Sequence, residues 1–167
     1  MISIREEQPG DAEAIRDLTT IAFGGSCESQ IIDALRADCP GLVSLVAVDD
    51  GHIVGHILFS PVTVKGTNNM ISGMGLGPMA VLPEYQRRGI GTNLVRHGIA
   101  RLREDGCPFV VVLGHPDYYP RFGFVPASLY GLNSQWEGVP DEVFMVNIID
   151  ENGLNGAHGE VRYRDEF

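Results

Sequence analysis

Gln86-Arg87-Arg88-Gly89-Ile90-Gly91 joins two glycines and two arginines between an apolar run, Gly75 to Leu82, and the start of an amphipathic one. A strand, a tight turn and a helix start in that order make a seat for phosphate. The first N–H groups of a helix have no partner inside the helix. The helix dipole puts partial positive charge at the same end. Glycine removes the Cβ that would hold a phosphate away from the backbone. Five of the twelve basic residues, Arg87, Arg88, Arg96, Arg101 and Arg103, fall in or after this turn, in a chain of net charge −10. That concentration favours a local anion site.

The turn lacks the Lys-Ser/Thr ending of a P-loop and the third glycine of a dinucleotide fingerprint. It resembles the Arg/Gln-x-x-Gly-x-Gly/Ala signature of the GCN5-related N-acetyltransferase (GNAT) superfamily. The match extends back through Leu76-Gly77-Pro78-Met79-Ala80-Val81-Leu82-Pro83-Glu84-Tyr85. The later Gly114-His115-Pro116-Asp117-Tyr118-Tyr119-Pro120-Arg121-Phe122-Gly123-Phe124 is similar to the branch of that superfamily called YhbS-like. The resemblance covers nearly the whole chain and is strongest from Met74 to Val125. It implies acetyl-CoA (coenzyme A) as co-substrate, no metal, and transfer of the acetyl group to a primary amine. The acceptor would be a small molecule or an exposed amino group of a peptide or protein. The resemblance assigns cofactor contact to Met79, Ala80 and Val81, and to Gln86, Arg87, Arg88, Gly89, Ile90, Gly91 and Thr92.

Acetyl transfer from a thioester needs a neutral amine, a donor for the developing oxyanion and a proton for the departing thiolate. Backbone N–H groups at Met79–Val81 are implied to polarise the thioester carbonyl, in the manner of an oxyanion hole. Tyr119 aligns with the tyrosine of the family's Tyr-x-Lys/Arg-x-Gly-Phe segment and is the expected general acid. A phenol of pKa about 10 is protonated at neutral pH and can protonate a thiolate. From residue type alone Tyr119 could equally be an aromatic packing residue. Tyr118 is the substitute. Pro120 departs from the family pattern. Glu28, after the Gly24-Gly25-Ser26 break, is the expected general base, although an acid there also suits a helix N-terminus. Asp117 and His115 are alternatives, and Glu84 reads as a solvated charge. The segments Gly24–Gln30, Asn133–Pro140 and the tail are expected to shape the acceptor pocket. A second reading is an acyl-CoA-binding regulatory or interaction domain without turnover. A third is a nucleotide-binding protein using the same turn.

The bulk properties narrow the class. A chain of 167 residues, 44% hydrophobic and 20% charged, suits one globular domain with a full core. The 22 acidic residues against 12 basic ones argue against non-specific nucleic-acid binding. No apolar run approaches membrane-spanning length and Met1 to Glu6 is no signal peptide, so a cytoplasmic protein without membrane partners is expected. A homodimer is left open. Cys27, Cys39 and Cys107 are odd in number and lack CxxC spacing, so free and mostly buried thiols are expected. His52 and His56 would share a strand face, with no third ligand at a telling spacing.

These residues need elements to hold them. Ile2 and Ile4 read as a first strand, and Asp11 as an N-cap of a helix through Ile15, Leu18 and Ala22. Ile31, Ile32 and Leu35 give a second helix, ended by Pro40-Gly41. Leu42–Val48 is a strand, and Asp50-Gly51 a hairpin turn before the alternation Ile53, Gly55, Ile57, Phe59. The strand from Ile71 to Leu82 is expected to be interrupted by Gly73, Gly75, Gly77 and Pro78, marking a bulge or a close backbone approach. The helix after Gly89 turns Ile90, Leu94, Val95, Gly98 and Leu102 inward. Phe109–Leu113 reads as a central buried strand, Tyr118–Phe122 as a short helical turn, and Phe144–Ile149 as a late strand. The class is α/β (α+β): a mixed sheet flanked by helices, which the resemblance makes a GNAT fold with splayed middle strands. Residues 1–150 are expected to form the acetyltransferase domain. Residues 151–167 would be a C-terminal extension packed on it or pairing with it.

Overall fold

A computed structural model describes all of residues 1–167. Its strands are β1 (Ile2–Glu6), β2 (Val43–Asp49), β3 (His52–Lys65), β4 (Met70–Val81), β5 (Phe109–Leu113), β6 (Val125–Pro126), β7 (Leu132–Ser134), β8 (Phe144–Ile148) and β9 (Gly159–Val161). The helices are α1 (Ala12–Phe23), α2 (Cys27–Asp38) and α3 (Ile90–Glu104). Seven strands form one mixed sheet in the order β1-β2-β3-β4-β5-β8-β6, and β7 and β9 form a two-stranded ribbon. The pairs β1–β2, β2–β3, β5–β8 and β6–β8 are antiparallel, and β4–β5 is parallel. Parallel pairing of β4 covers only Met74–Leu76, opposite Val110–Val112, although β4 continues to Val81.

The chain divides into two units that interleave in sequence. The first comprises Met1–Ser60, Gly77–Ala100 and Glu166–Phe167; the second comprises Pro61–Leu76 and Arg101–Asp165.

In the first unit, β2 and β3 carry helices on both faces. Ile15 of α1 and Ile32 and Leu35 of α2 pack with Val46 and Leu58. On the other face α3 lies close, because two glycines let it. A Cβ on Gly55 would sit 3.1 Å from both Ile90 and Leu94. A Cβ on Gly98 would collide with the fully buried ring of Phe59. The helix that follows the Gln86–Gly91 turn is therefore seated by missing side chains. Asp50 and Gly51 both have positive φ, as the expected hairpin turn requires.

Three expectations for this unit need correction. Asp11 makes no side-chain cap to α1. Its carboxylate instead accepts from Arg5 at 2.6 and 3.1 Å and from the Gln8 N–H at 2.7 Å. This ion pair and hydrogen bond lower its pKa. His52 and His56 do not share a face, because the β2–β3 register shifts and leaves Val54 without a partner. His52 is exposed and His56 fully buried. The inserted residue reverses which side each side chain takes. Cys27, expected to be buried with the other thiols, is exposed on the first turn of α2.

In the second unit, Phe109, Val111, Phe144 and Val146 form a core with Val62, Leu132, Leu154 and Val161. β4 runs unbroken through Gly73 and Gly75, while at Gly77 φ swings to 134°, just past the end of its pairing with β5 at Leu76. A Cβ on Gly73 would lie 2.5 Å from the Phe109 ring, and one on Gly75 2.7 Å from the Tyr163 ring. Close approach is the reason for these glycines, and the strand runs through them. The tail pairs in parallel with β7, from Leu132–Gly159 to Ser134–Val161.

Candidate functional site

The turn expected to hold phosphate, Gln86–Gly91, lies wholly in the first unit. After β4, the Leu82 N–H donates to the Val54 carbonyl at 2.9 Å, which ties the strand end to β3. A 3-10 turn, Pro83–Tyr85, follows and is closed by the Tyr85 N–H donating to Leu82 at 2.8 Å. Gln86 then returns to extended geometry. Arg87 has φ 62° and Gly89 φ 82°, and Arg88 between them lies outside that region. A non-glycine residue at positive φ is uncommon. Alternation of hand along the backbone is the pattern that turns successive amides into one anion-binding concavity. The α3 ladder starts with the Asn93 N–H donating to Gly89 at 3.0 Å. The amides of Gly89, Ile90 and Gly91 precede that bond and have no i−4 acceptor within α3. A Cβ on Gly89 would meet nothing within 4 Å, so the space above the turn is open. Arg87 and Arg88 are exposed beside it.

Two braces hold the turn. The Gln86 side-chain amide donates to the Val81 carbonyl at 3.0 Å. It therefore links the two segments expected to touch the cofactor, Met79–Val81 and the turn itself. Tyr85 donates its hydroxyl to Asp49 at 3.3 Å, and the Arg88 guanidinium lies 5.2 Å from the Tyr85 ring centre. Neither brace was read from the sequence. An i,i+5 contact from a turn residue back to a strand carbonyl has no sequence period to betray it.

Glu28 belongs to the same unit. It sits half-buried on the first turn of α2, where an acid complements the helix dipole, and forms no ion pair.

Tyr119 belongs to the second unit. It begins the 3-10 turn Tyr119–Phe122 and is 7% exposed. The Tyr118 and Tyr119 N–H groups donate to the His115 carbonyl at 3.1 and 3.3 Å. The Tyr119 ring meets Tyr118 and Phe124 edge-on, with centroids at 5.1 and 5.6 Å. It occupies the space that a side chain at residue 114 would need, so Gly114 makes room for it. The hydroxyl has no protein hydrogen-bond partner and is not fully enclosed. Burial, with a smaller contribution from Tyr118, pushes its pKa up to about 12. It thus holds its proton more tightly than the free phenol assumed from sequence. His115 and Asp117 are exposed on the loop before the turn, and Glu84 is exposed before the phosphate turn.

The second unit also contains a cavity of about 160 Å³, lined in part by Asn133, Ser134, Trp136, Val139 and Asp141. It includes the Asn133–Pro140 segment expected at the acceptor. No cluster of three or more His, Cys, Asp or Glu is placed to hold a metal ion. No helix is long and apolar enough to cross a membrane.

A model of the acetyltransferase (GNAT) family matches residues 12–124, which include the whole phosphate turn and Tyr119. The chain belongs to the GNAT family. Among relatives, it is 37% identical over 165 residues to YhbS of Escherichia coli, described as an uncharacterized N-acetyltransferase. That match spans 98% of this chain and 97% of the relative. A crystal structure of E. coli YhbS in complex with CoA superposes with a TM-score of 0.90 at 36% identity, covering 99% of this chain and 91% of that one. A GNAT family acetyltransferase from Brucella melitensis in complex with acetyl-CoA gives 0.80 at 37% identity, covering 100% and 98%. The mixed sheet flanked by helices is the GNAT fold of these relatives.

Proposed function

We propose that this chain is an acetyl-CoA-dependent N-acetyltransferase that moves the acetyl group to a primary amine by direct attack in a ternary complex. The observation that carries this reading is the open, left-handed turn at Arg87–Gly89 ahead of the first bonded turn of α3. It offers backbone donors to a diphosphate at a point where no protein side chain competes. Relatives of nearly full length solved with CoA and with acetyl-CoA support it.

Acetyl-CoA supplies an activated acyl group and a thiolate that can leave. The residues of this chain bind, orient and manage protons. The amides from Gly89 to Thr92 take the diphosphate, with Arg87 and Arg88 adding positive charge. The backbone at Met79–Val81 takes the thioester arm and polarises its carbonyl. Gln86 keeps that strand end in register with the turn, so its side chain acts by positioning. Tyr119 donates its proton as the thiolate forms; its raised pKa keeps the phenol protonated across the working pH range. Glu28 accepts a proton from the amine, directly or through water. Holding both reactants together supplies much of the acceleration. The acceptor is a small amine or an exposed amino group, and the cavity beside Trp136 and Asp141 is offered as part of its seat. A homodimer is compatible with this scheme, which does not require one.

The test is thiol release from acetyl-CoA with a panel of amines, comparing the parent with Gly89→Glu. Turnover by the parent and weakened acetyl-CoA binding by the folded variant are expected. Tight CoA binding with no turnover on any amine would support the regulatory reading instead. Better thermal protection by ATP or NAD than by CoA would support the nucleotide reading.

A further inference from the structure

We propose that Asn147 is a positioning residue for Tyr119, acting through the carbonyl of Phe122. The inference rests on the acetyltransferase reading and adds to it a residue that no motif contains. Asn147 is the one polar residue in the otherwise apolar β8, Phe144–Ile148, and is 8% exposed. Its side-chain amide donates to the Phe122 carbonyl at 2.9 Å. That carbonyl is the last of the Tyr119–Phe122 turn. A neutral amide buried on a central strand is costly unless bonded, so its one good acceptor fixes where the turn sits.

The rest of the turn's surroundings agree. Gly123 follows with φ 94°, and its N–H donates to Pro120 at 3.0 Å to close the turn. A Cβ there would lie 3.5 Å from the Asn147 amide nitrogen, so the chain passes close over Asn147. At the other end, the His115 carbonyl holds the Tyr118 and Tyr119 N–H groups, and Gly114 leaves room for the Tyr119 ring. The β5–β8 pairing places Asn147 opposite Val110, so the anchor stands on the floor of the second unit and not on a loop. Among these bonds, the one from Asn147 comes from a side chain outside the turn. Arg121 is a different case: it bonds the Tyr118 carbonyl and stacks on the Tyr118 ring, within the turn's own exposed surface.

A displaced turn shifts the phenol hydroxyl, and a shift of about 1 Å in a reacting group costs up to roughly a hundred-fold in rate. Asn147→Leu removes the donor while keeping an apolar body of similar size. Gly123→Ala is the second variant: its Cβ would only touch Asn147, but φ 94° is a conformation that L side chains rarely adopt, so it strains the same turn from the exposed side. For either, kcat is expected to fall about ten- to a hundred-fold, with acetyl-CoA affinity within about two-fold of the parent. In a Tyr119→Phe background, the same substitution should cost less than about two-fold, because its route of action is already gone. A merely structural role would lower affinity and kcat together, or lower kcat by the same factor in both backgrounds, and either result overturns the inference. A Tyr119→Phe enzyme with parental turnover overturns the proton-donor assignment and this inference with it. A costly Tyr119→Phe with additive Asn147→Leu and Gly123→Ala overturns the inference alone.

Discussion

The turn at Gln86–Gly91 is made of backbone, and the turn at Tyr119–Phe122 is made of side chains. The first is exposed from Gln86 to Gly89, carries left-handed residues and has open space where a side chain at Gly89 would go. The second exposes Pro120 and Arg121 but buries Tyr119 among aromatic rings, where lost solvation raises the pKa of its phenol. A diphosphate is bound by many donors of modest strength, so a rigid backbone loop suffices and single side chains matter little. A proton must be offered from one atom, so one side chain must be held in one place. Substitutions in the first turn should therefore change affinity, and substitutions in the second should change turnover.

The comparison breaks first at Tyr119. Tyr119→Phe should lower kcat by about a hundred-fold or more, with acetyl-CoA affinity unchanged in calorimetry. Equal losses in both would make Tyr119 a packing residue. The next largest effect belongs to pH and concerns the first unit alone. His56 is buried, and desolvation holds its pKa down to about 4, with Glu7 opposing the shift and Arg36 adding to it. Its Nε2 lies 2.8 Å from the Ser44 hydroxyl, which in turn donates to Glu7. The folded pKa lies below the unfolded value, so the unfolded chain binds more protons between about pH 6.5 and 4. Stability is present above that window and lost as pH falls through it, by about 3 kcal/mol in total. Thermal melts from pH 7.5 to 4 should show the decline, and a His56→Gln protein should show a flatter one.

Gly89→Glu should weaken acetyl-CoA binding by about 2 kcal/mol, since it adds a side chain and a like charge where the diphosphate would lie. Unchanged affinity in a folded variant would remove the phosphate role. Gly98→Ala sets helix propensity against packing. The added methyl meets the buried Phe59 ring, a penalty of about 1–3 kcal/mol, offset by about 1 kcal/mol of helix propensity. A lower melting temperature with normal catalysis is expected. The smallest effect is Gln86→Ala. Loss of its bond to Val81 should raise the acetyl-CoA dissociation constant about three-fold and leave kcat near the parental value. A larger loss in kcat would mean that the Met79–Val81 strand end, and not the turn, feels the brace.

The same contrast explains what could be read from residues alone. The turn at Gln86–Gly89 and the helix start after it were legible because their signal is local: glycines, arginines and a change of period within a few positions. The helices, the Asp50-Gly51 hairpin and the buried β5 were legible for that reason too. Asn147 was not, because its partner lies 25 residues away and only the fold makes them neighbours. The strand parity of His52 and His56 failed at one unpaired residue, Val54, which leaves no mark in a pattern of alternating side chains. Asp11 looked like a cap because capping residues and ion-pairing residues share a carboxylate; Arg5, on the neighbouring strand, decided between them. The small β7–β9 ribbon was foreshadowed only as a tail packed on or pairing with the domain, since strands of three residues carry too little pattern to stand out.

Strands β3 and β4 each begin in one unit and end in the other. No continuous length of polypeptide therefore encodes either unit. During synthesis, a nascent chain that has emerged to Ala100 already holds nearly all of the first unit, while Pro61–Leu76 waits for partners still to be translated. Segments caught in that interval expose β4 without β5. Ribosome stalling between Ala100 and Phe109 should leave the nascent chain at its most chaperone-dependent.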